Sequence, residues 1–287
     1  MRPIPPVAAD PYAKRSAMRI EAFQRVVYEH NPLAEVVCQV AFERLESLDE
    51  RVSAAMRAAF ADLGYSEAEQ VGVTVGLPPG IVVASSGAQP QMTQHLRVDH
   101  FGTPDGVWKV SFSADFLALT CLKYSGWKEF LPRMLCAVQT VVGFCVIDSP
   151  KRLGLRYRDV VEREPLGLGG SSWHELIEPF LLGPMAPNAL ASGQIPSEDE
   201  VESFVSQSVL KLDNSMVFLQ SSLLRSLEGS RRAFMIDADF YNDSGLEADL
   251  LGNDASLELR LNTLHENAGA LFRRGITDTL HNALRPR

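Results

Sequence analysis

The chain is poor in the residues from which reaction centres are built. Its 287 residues include four cysteines, Cys38, Cys121, Cys136 and Cys145, and no C-x-x-C pair. That spacing resembles neither a zinc site nor a secreted disulfide framework, and a reducing cytoplasm is the simplest compartment. No glycine-rich phosphate loop is present, and Ser125, Ser171 and Ser172 lack a nucleophile-elbow context. No segment approaches the roughly 20 apolar residues needed to span a bilayer. The opening Met1-Arg2-Pro3-Ile4-Pro5-Pro6 lacks the apolar region of a signal peptide. Basic residues are outnumbered, 27 Lys and Arg against 36 Asp and Glu, for a net charge of −9. Nucleic acid and anionic lipid each require a positive surface, so both are disfavoured, with a local basic patch left open. Composition thus points away from a membrane, a cofactor, a resident metal and a catalytic centre.

What is present is material for a substantial core, with 46% of residues hydrophobic and 22% charged. Residues 1–27 read as a Pro- and Ala-rich arm, partly disordered, with a helix near Ala17 to Val27. Asn31-Pro32 then launches a strand over Ala34 to Phe42, because proline favours an extended approach and the centre is β-branched. Leu48, Val52, Ala55, Met56, Ala59, Phe60 and Leu63 recur at helical spacing, and Gly64 suits the end of that helix. Strands follow around Gly80 to Ala84, Gln94 to Phe101 and Gly106 to Ala114. A helix opening at Tyr124-Ser125-Gly126-Trp127 comes next, with Pro132 complicating its start.

The order then repeats without obvious sequence identity. Arg152 to Val161 reads as a strand and Ser171 to Leu182 as a helix, followed by a Pro/Gly/Asp/Glu-rich connection over Gly183 to Glu200. Strands near Val201 to Leu212, Met216 to Leu224 and Ala233 to Tyr241 precede a helix from Ala255 to Ala283. The expected fold is α+β, with two topologically similar β-α-β-β-β-α halves on antiparallel sheets with long packing helices. The halves are 28–150 and 151–287.

Few positions invite chemistry. Asp237 and Asp239 share one face of a strand whose other face is Phe234, Ile236, Ala238 and Phe240. Such a pair can hold Mg²⁺ or transfer protons, although acidic residues on a solvated strand face are commoner. Arg156 and Arg158 likewise share a face, preceded by Lys151 and Arg152. They form either an anion-binding strip or one side of a cross-strand charge ladder, and the ladder is preferred. His95, Asp99 and His100 contain metal-ligand types, but alternation turns His100 away from the other two. Cys136 and Cys145, nine residues apart on one helix, point to nearly opposite sides. His265 lies beside the apolar stripe of the last helix, where a hydrogen-bonded boundary role is commoner than catalysis. Tyr124 and Trp127 can wall a ligand or anchor a helix to the sheet.

Several landmarks in order resemble a sporadically distributed, largely uncharacterised family of bacterial proteins. They are Asn31-Pro32 with Glu35-Val36-Val37-Cys38-Gln39-Val40 and Phe42, then Tyr124-Ser125-Gly126-Trp127, then Leu155-Arg156-Tyr157. Ile236-Asp237-Ala238-Asp239-Phe240, Leu264-His265-Glu266, Leu271-Phe272 and Ile276-Thr277 complete the set. The resemblance covers nearly the whole chain after the arm. Members often carry Asn shortly after the Arg-Tyr pair, where this chain has Arg158-Asp159. The family's patchy distribution implies travel with mobile or accessory gene sets, and so a role in defence, conflict or toxin–antitoxin systems by association.

The expectation is a cytoplasmic, non-enzymatic protein that binds a partner protein or small ligand in a groove between its halves. Its contact residues would be drawn from Tyr124, Trp127, Arg156, Arg158, Asp237, Asp239 and His265. A metal-dependent hydrolase or nuclease-like enzyme using Asp237 and Asp239 is the first alternative. A nucleic-acid module using Lys151 to Arg158 is the second. Homo-oligomerisation through a sheet edge or the final helix is compatible with each.

Overall fold

A computed structural model describes residue 20 and residues 26–45, 50–68, 98–147, 149–187, 200–225 and 232–287. Most of the arm, the strand expected at Gly80 to Ala84, His95 and most of the connection after Gly183 lie outside them. The fold is mixed α and β, as expected. Among the described residues, nine strands form one antiparallel sheet in the order β2-β3-β4-β5-β1-β6-β9-β8-β7. They are β1 Leu33–Phe42, β2 Ser66–Ala68, β3 Val98–Gly102, β4 Trp108–Ser113, β5 Phe116–Cys121, β6 Pro150–Glu162, β7 Phe204–Lys211, β8 Met216–Arg225 and β9 Arg232–Asn242. The helices are α1 Glu50–Asp62, α2 Trp127–Val142, α3 Trp173–Leu176, α4 Pro179–Leu182, α5 Asp254–Gly275 and α6 Asp278–Ala283.

Strict alternation builds the central strand. In β1 the side chains of Val36, Cys38, Val40 and Phe42 are buried, while Glu35, Val37, Gln39 and Ala41 turn to the other face. The strand starts at an Asx turn, where the Leu33 amide donates to Asn31 Oδ1 at 3.1 Å. Across it, Val36, Cys38 and Val40 stand opposite Tyr157, Leu155 and Leu153 of β6 and opposite Cys121, Leu119 and Leu117 of β5. That apolar face carries the helices: Phe60 of α1 stacks on Phe101 of β3, and Trp173 of α3 meets Phe234 of β9. The opposite face holds no described helix.

Several helix boundaries differ from the sequence reading, each for an identifiable physical reason. α2 begins at Trp127 despite Pro132, because the Gly126 carbonyl accepts from the Glu129 and Phe130 amides, both at 3.2 Å. The carbonyl that Pro132 leaves without its i+4 donor belongs to Lys128, an exposed residue. α2 ends at Val142, so Cys145 lies beyond the helix that carries Cys136. The segment expected as one helix over Ser171 to Leu182 is two short helices separated at Ile177-Glu178, just before Pro179. The expected final helix also breaks, at Ile276-Thr277. Ile276 leaves it to bridge Ile177, and the Thr277 amide donates to the Leu176 carbonyl at 2.9 Å. Thr277 Oγ1 then caps α6.

Candidate functional site

The middle of the sheet face opposite the described helices is charged. Antiparallel register lines up Glu35, Arg158 and Asp237 across β1, β6 and β9, and next to them Val37, Arg156 and Asp239. The side chains then reach diagonally. Arg156 grips Asp237 with two nitrogens, Nε donating to Oδ1 at 2.6 Å and Nη2 to Oδ2. Arg158 donates from Nε to the same Asp237 Oδ2 at 3.2 Å, and its Nη1 lies 2.9 Å from Glu35 Oε2. Arg152 donates from Nη2 to Asp239 Oδ2 at 2.6 Å and lies 4.6 Å above the Tyr241 ring. Gly154 gives it room, since a Cβ there would fall 2.3 Å from Arg152 Nη1 and push the guanidinium aside.

Arginines Arg152, Arg156 and Arg158 thus equal in number the carboxylates Glu35, Asp237 and Asp239 that hold them, with Asp237 shared by Arg156 and Arg158. Asp237 is buried, with a side chain 4% exposed, whereas Arg156 is 38% exposed. The hydrogen bonds and charge of Asp237 hold the Arg156 guanidinium above its ordinary value. Burial outweighs Arg152 at Asp239 and leaves that carboxyl above the usual carboxylate range. Lys151 takes no part, pairing instead with Glu43 at 2.6 Å.

Tyr124, Trp127 and His265 gather on the other side of the sheet. The His265 ring stacks on Trp127 at 4.3 Å with the planes 13° apart, and its Nδ1 lies 2.6 Å from the Tyr157 hydroxyl. Trp127 Nε1 donates to Asn262 Oδ1 at 2.7 Å, and Tyr124 meets the Tyr157 ring edge-on at 6.0 Å. This cluster fills the seam where α2 faces α5. The sequence-derived residues therefore form two groups on opposite faces, with β6 contributing Arg156 and Arg158 to one and Tyr157 to the other.

Sequence reasoning missed Glu35, Tyr241, Tyr157 and Asn262. Alternation alone assigns Tyr241 to the face of Asp237 and Asp239, so that one was within reach. Asn262 was not, because 135 residues separate it from Trp127.

Asp99 and His100 lie on opposite faces of β3, as alternation requires, and His100 Nδ1 is 2.9 Å from Ser111 Oγ. Among the described residues, no group of three or more His, Cys, Asp or Glu is placed to hold a metal ion. Burial raises the Cys38 thiol far above its ordinary value, which makes it an inert core residue. Phe60, Leu63, Tyr65, Arg133, Cys136 and Ala137 line a depression of about 70 Å³, well under the roughly 300 Å³ of an ordinary ligand pocket. No described helix is long and apolar enough to cross a membrane. No protein-family model matches the chain, and no curated protein is detectably similar to it in sequence.

Proposed function

We propose that the chain is a non-enzymatic binding protein made of two matching halves, which takes a partner protein or small ligand across the junction of β1 and β6, on the face opposite the described helices. Support for the halves comes from strand order: β5-β4-β3 flank β1 as β9-β8-β7 flank β6, with a long helix, α2 or α5, after each set. β1 and β6 meet at the centre, so a ligand spanning their junction touches both halves.

The observation that carries the reading is the closed pairing of Arg152, Arg156 and Arg158 with Glu35, Asp237 and Asp239. Guanidiniums locked by carboxylates are poor catalysts and good recognition elements, because their orientation is set before a ligand arrives. The family resemblance gives the biological setting, an accessory component of a bacterial defence or toxin–antitoxin system, where the partner is encoded nearby. Calorimetric titration with the products of adjacent genes tests the reading. Binding that weakens in Tyr241→Ala and Val37→Asp supports it, and absence of binding to all of them counts against it.

One observation favours a second reading. Asp237 and Asp239 do share a face with arginines beside them, as a metal-dependent hydrolase would need. Opening that site to Mg²⁺ or Mn²⁺ would require both carboxylates to release their arginines. Thermal unfolding with and without these ions separates the two readings, since a bound metal raises the midpoint and an excluded one leaves it unchanged. For nucleic acid, the equal numbers of arginines and carboxylates leave the strip with little net charge to offer a phosphate backbone.

A further inference from the structure

The two ends of the sheet are unlike. One closes on the three-residue β2, whereas the other ends on the eight-residue β7, whose outer edge meets no described strand. Such an edge presents a row of backbone N–H and C=O groups suited to another strand, and proteins ordinarily blunt it with charge, proline or a bulge. β7 has none of these before its last residue. Phe204-Val205-Ser206-Gln207-Ser208-Val209-Leu210 is uncharged and free of proline, and it pairs with β8 in unbroken register from Phe204 to Lys211. Val205 and Val209 are 42% and 56% exposed, on the same face as Gln207.

The segment also reads identically in both directions about Gln207, as V-S-Q-S-V. That symmetry bears on the occupant. In a two-fold antiparallel pair, residues whose numbers share a constant sum stand opposite one another. Centred on Gln207, Val205 of one copy meets Val209 of the other, Ser206 meets Ser208, and Phe204 meets Leu210. Lys211 falls opposite Ser203, so no like charges oppose along the strand. An axis perpendicular to the sheet keeps the described helices of both copies on one side and continues the opposite face from one copy to the next.

We infer that β7 is a homodimerisation edge, on which a second copy of this chain pairs antiparallel about Gln207 to extend the sheet. This goes beyond the binding proposed at the junction of β1 and β6 and does not depend on it.

Sedimentation equilibrium across a wide concentration range tests the inference, with far-UV circular dichroism confirming that each variant is folded. The wild type is expected to dimerise. Val209→Glu, at an exposed position, is expected to raise the dissociation constant about tenfold or more. V205K/V209E is expected to recover affinity, because the new ammonium of one copy meets the new carboxylate of the other. A monomer at every concentration, or a dimer indifferent to Val209→Glu, overturns the inference. Failure of the double variant to recover overturns the Gln207-centred register.

Discussion

Asp159 is the side chain most out of keeping with its surroundings. It lies 6% exposed on the helix side of β6, between the buried Tyr157 and Val161. Burial, helped by the charge of Asp237, pushes its carboxyl well above the usual carboxylate range. The folded protein therefore holds a proton there that the unfolded chain releases near its ordinary value of about 3.9. Between that value and the raised folded one, the native state binds more protons, so stability falls as pH rises. An Asn side chain imitates the neutral acid. Asp159→Asn should raise the unfolding temperature at neutral pH, with the gain shrinking as pH drops toward 4. Unfolding midpoints measured against pH check this, and a gain constant with pH would argue against a buried neutral acid. At this scale much was legible in the sequence. Period-two alternation put Asp237 with Asp239 and Arg156 with Arg158, and favoured a ladder. The pairing of Arg152 with Asp239 and the double use of Asp237 were not legible, because both depend on diagonal reach across a register that alternation does not specify.

Among the elements, β1, β6, β7, β8 and β9 lie close to where the sequence placed strands, whereas β2 and β5 formed where none was expected, and several helix ends moved. Strand alternation is a local property, whereas α5 stops at Gly275 because Ile276 is drawn to Ile177, almost a hundred residues earlier. A Cβ on Gly275 would lie 2.8 Å from Leu181 Cδ1, which shows how closely that corner is packed. Gly183, just past α4, combines two constraints. Its φ is +53°, and a Cβ would fall 2.4 Å from Phe204 Cε2. Gly183→Ala is therefore expected to lower unfolding free energy by about 1–3 kcal/mol. Gly252→Ala, with no atom within 4 Å of the added carbon, should change little. Urea unfolding of the two variants side by side makes the comparison, and equal losses would refute the packing argument. The aromatic seam was legible only in its parts. Tyr124, Trp127 and His265 each stood out as residues, but their meeting required α2 and α5 to cross the sheet side by side.

For the whole molecule, the decisive feature is that β1 and β6 pair along most of their length while α2 and α5 meet above them. Most of the individual strands and helices were readable from periodicity, but the joining of all described strands into a single sheet was not, since either separate or shared sheets satisfy the same local patterns. Shared strands make unfolding of one half expose the other. Far-UV circular dichroism and tryptophan fluorescence should therefore report one coincident transition, Trp108 and Trp127 sensing the first half and Trp173 the second. Two separated transitions would show halves that stand alone.

At the centre of that sheet, the charged side chains hold one another as partners. Denaturant unfolding of Asp237→Asn beside the wild type tests this most directly. Loss of the carboxylate shared by Arg156 and Arg158 is expected to lower unfolding free energy by about 1–3 kcal/mol. A variant more stable than the wild type, as when a carboxylate is kept for chemistry against the interests of the fold, would contradict it.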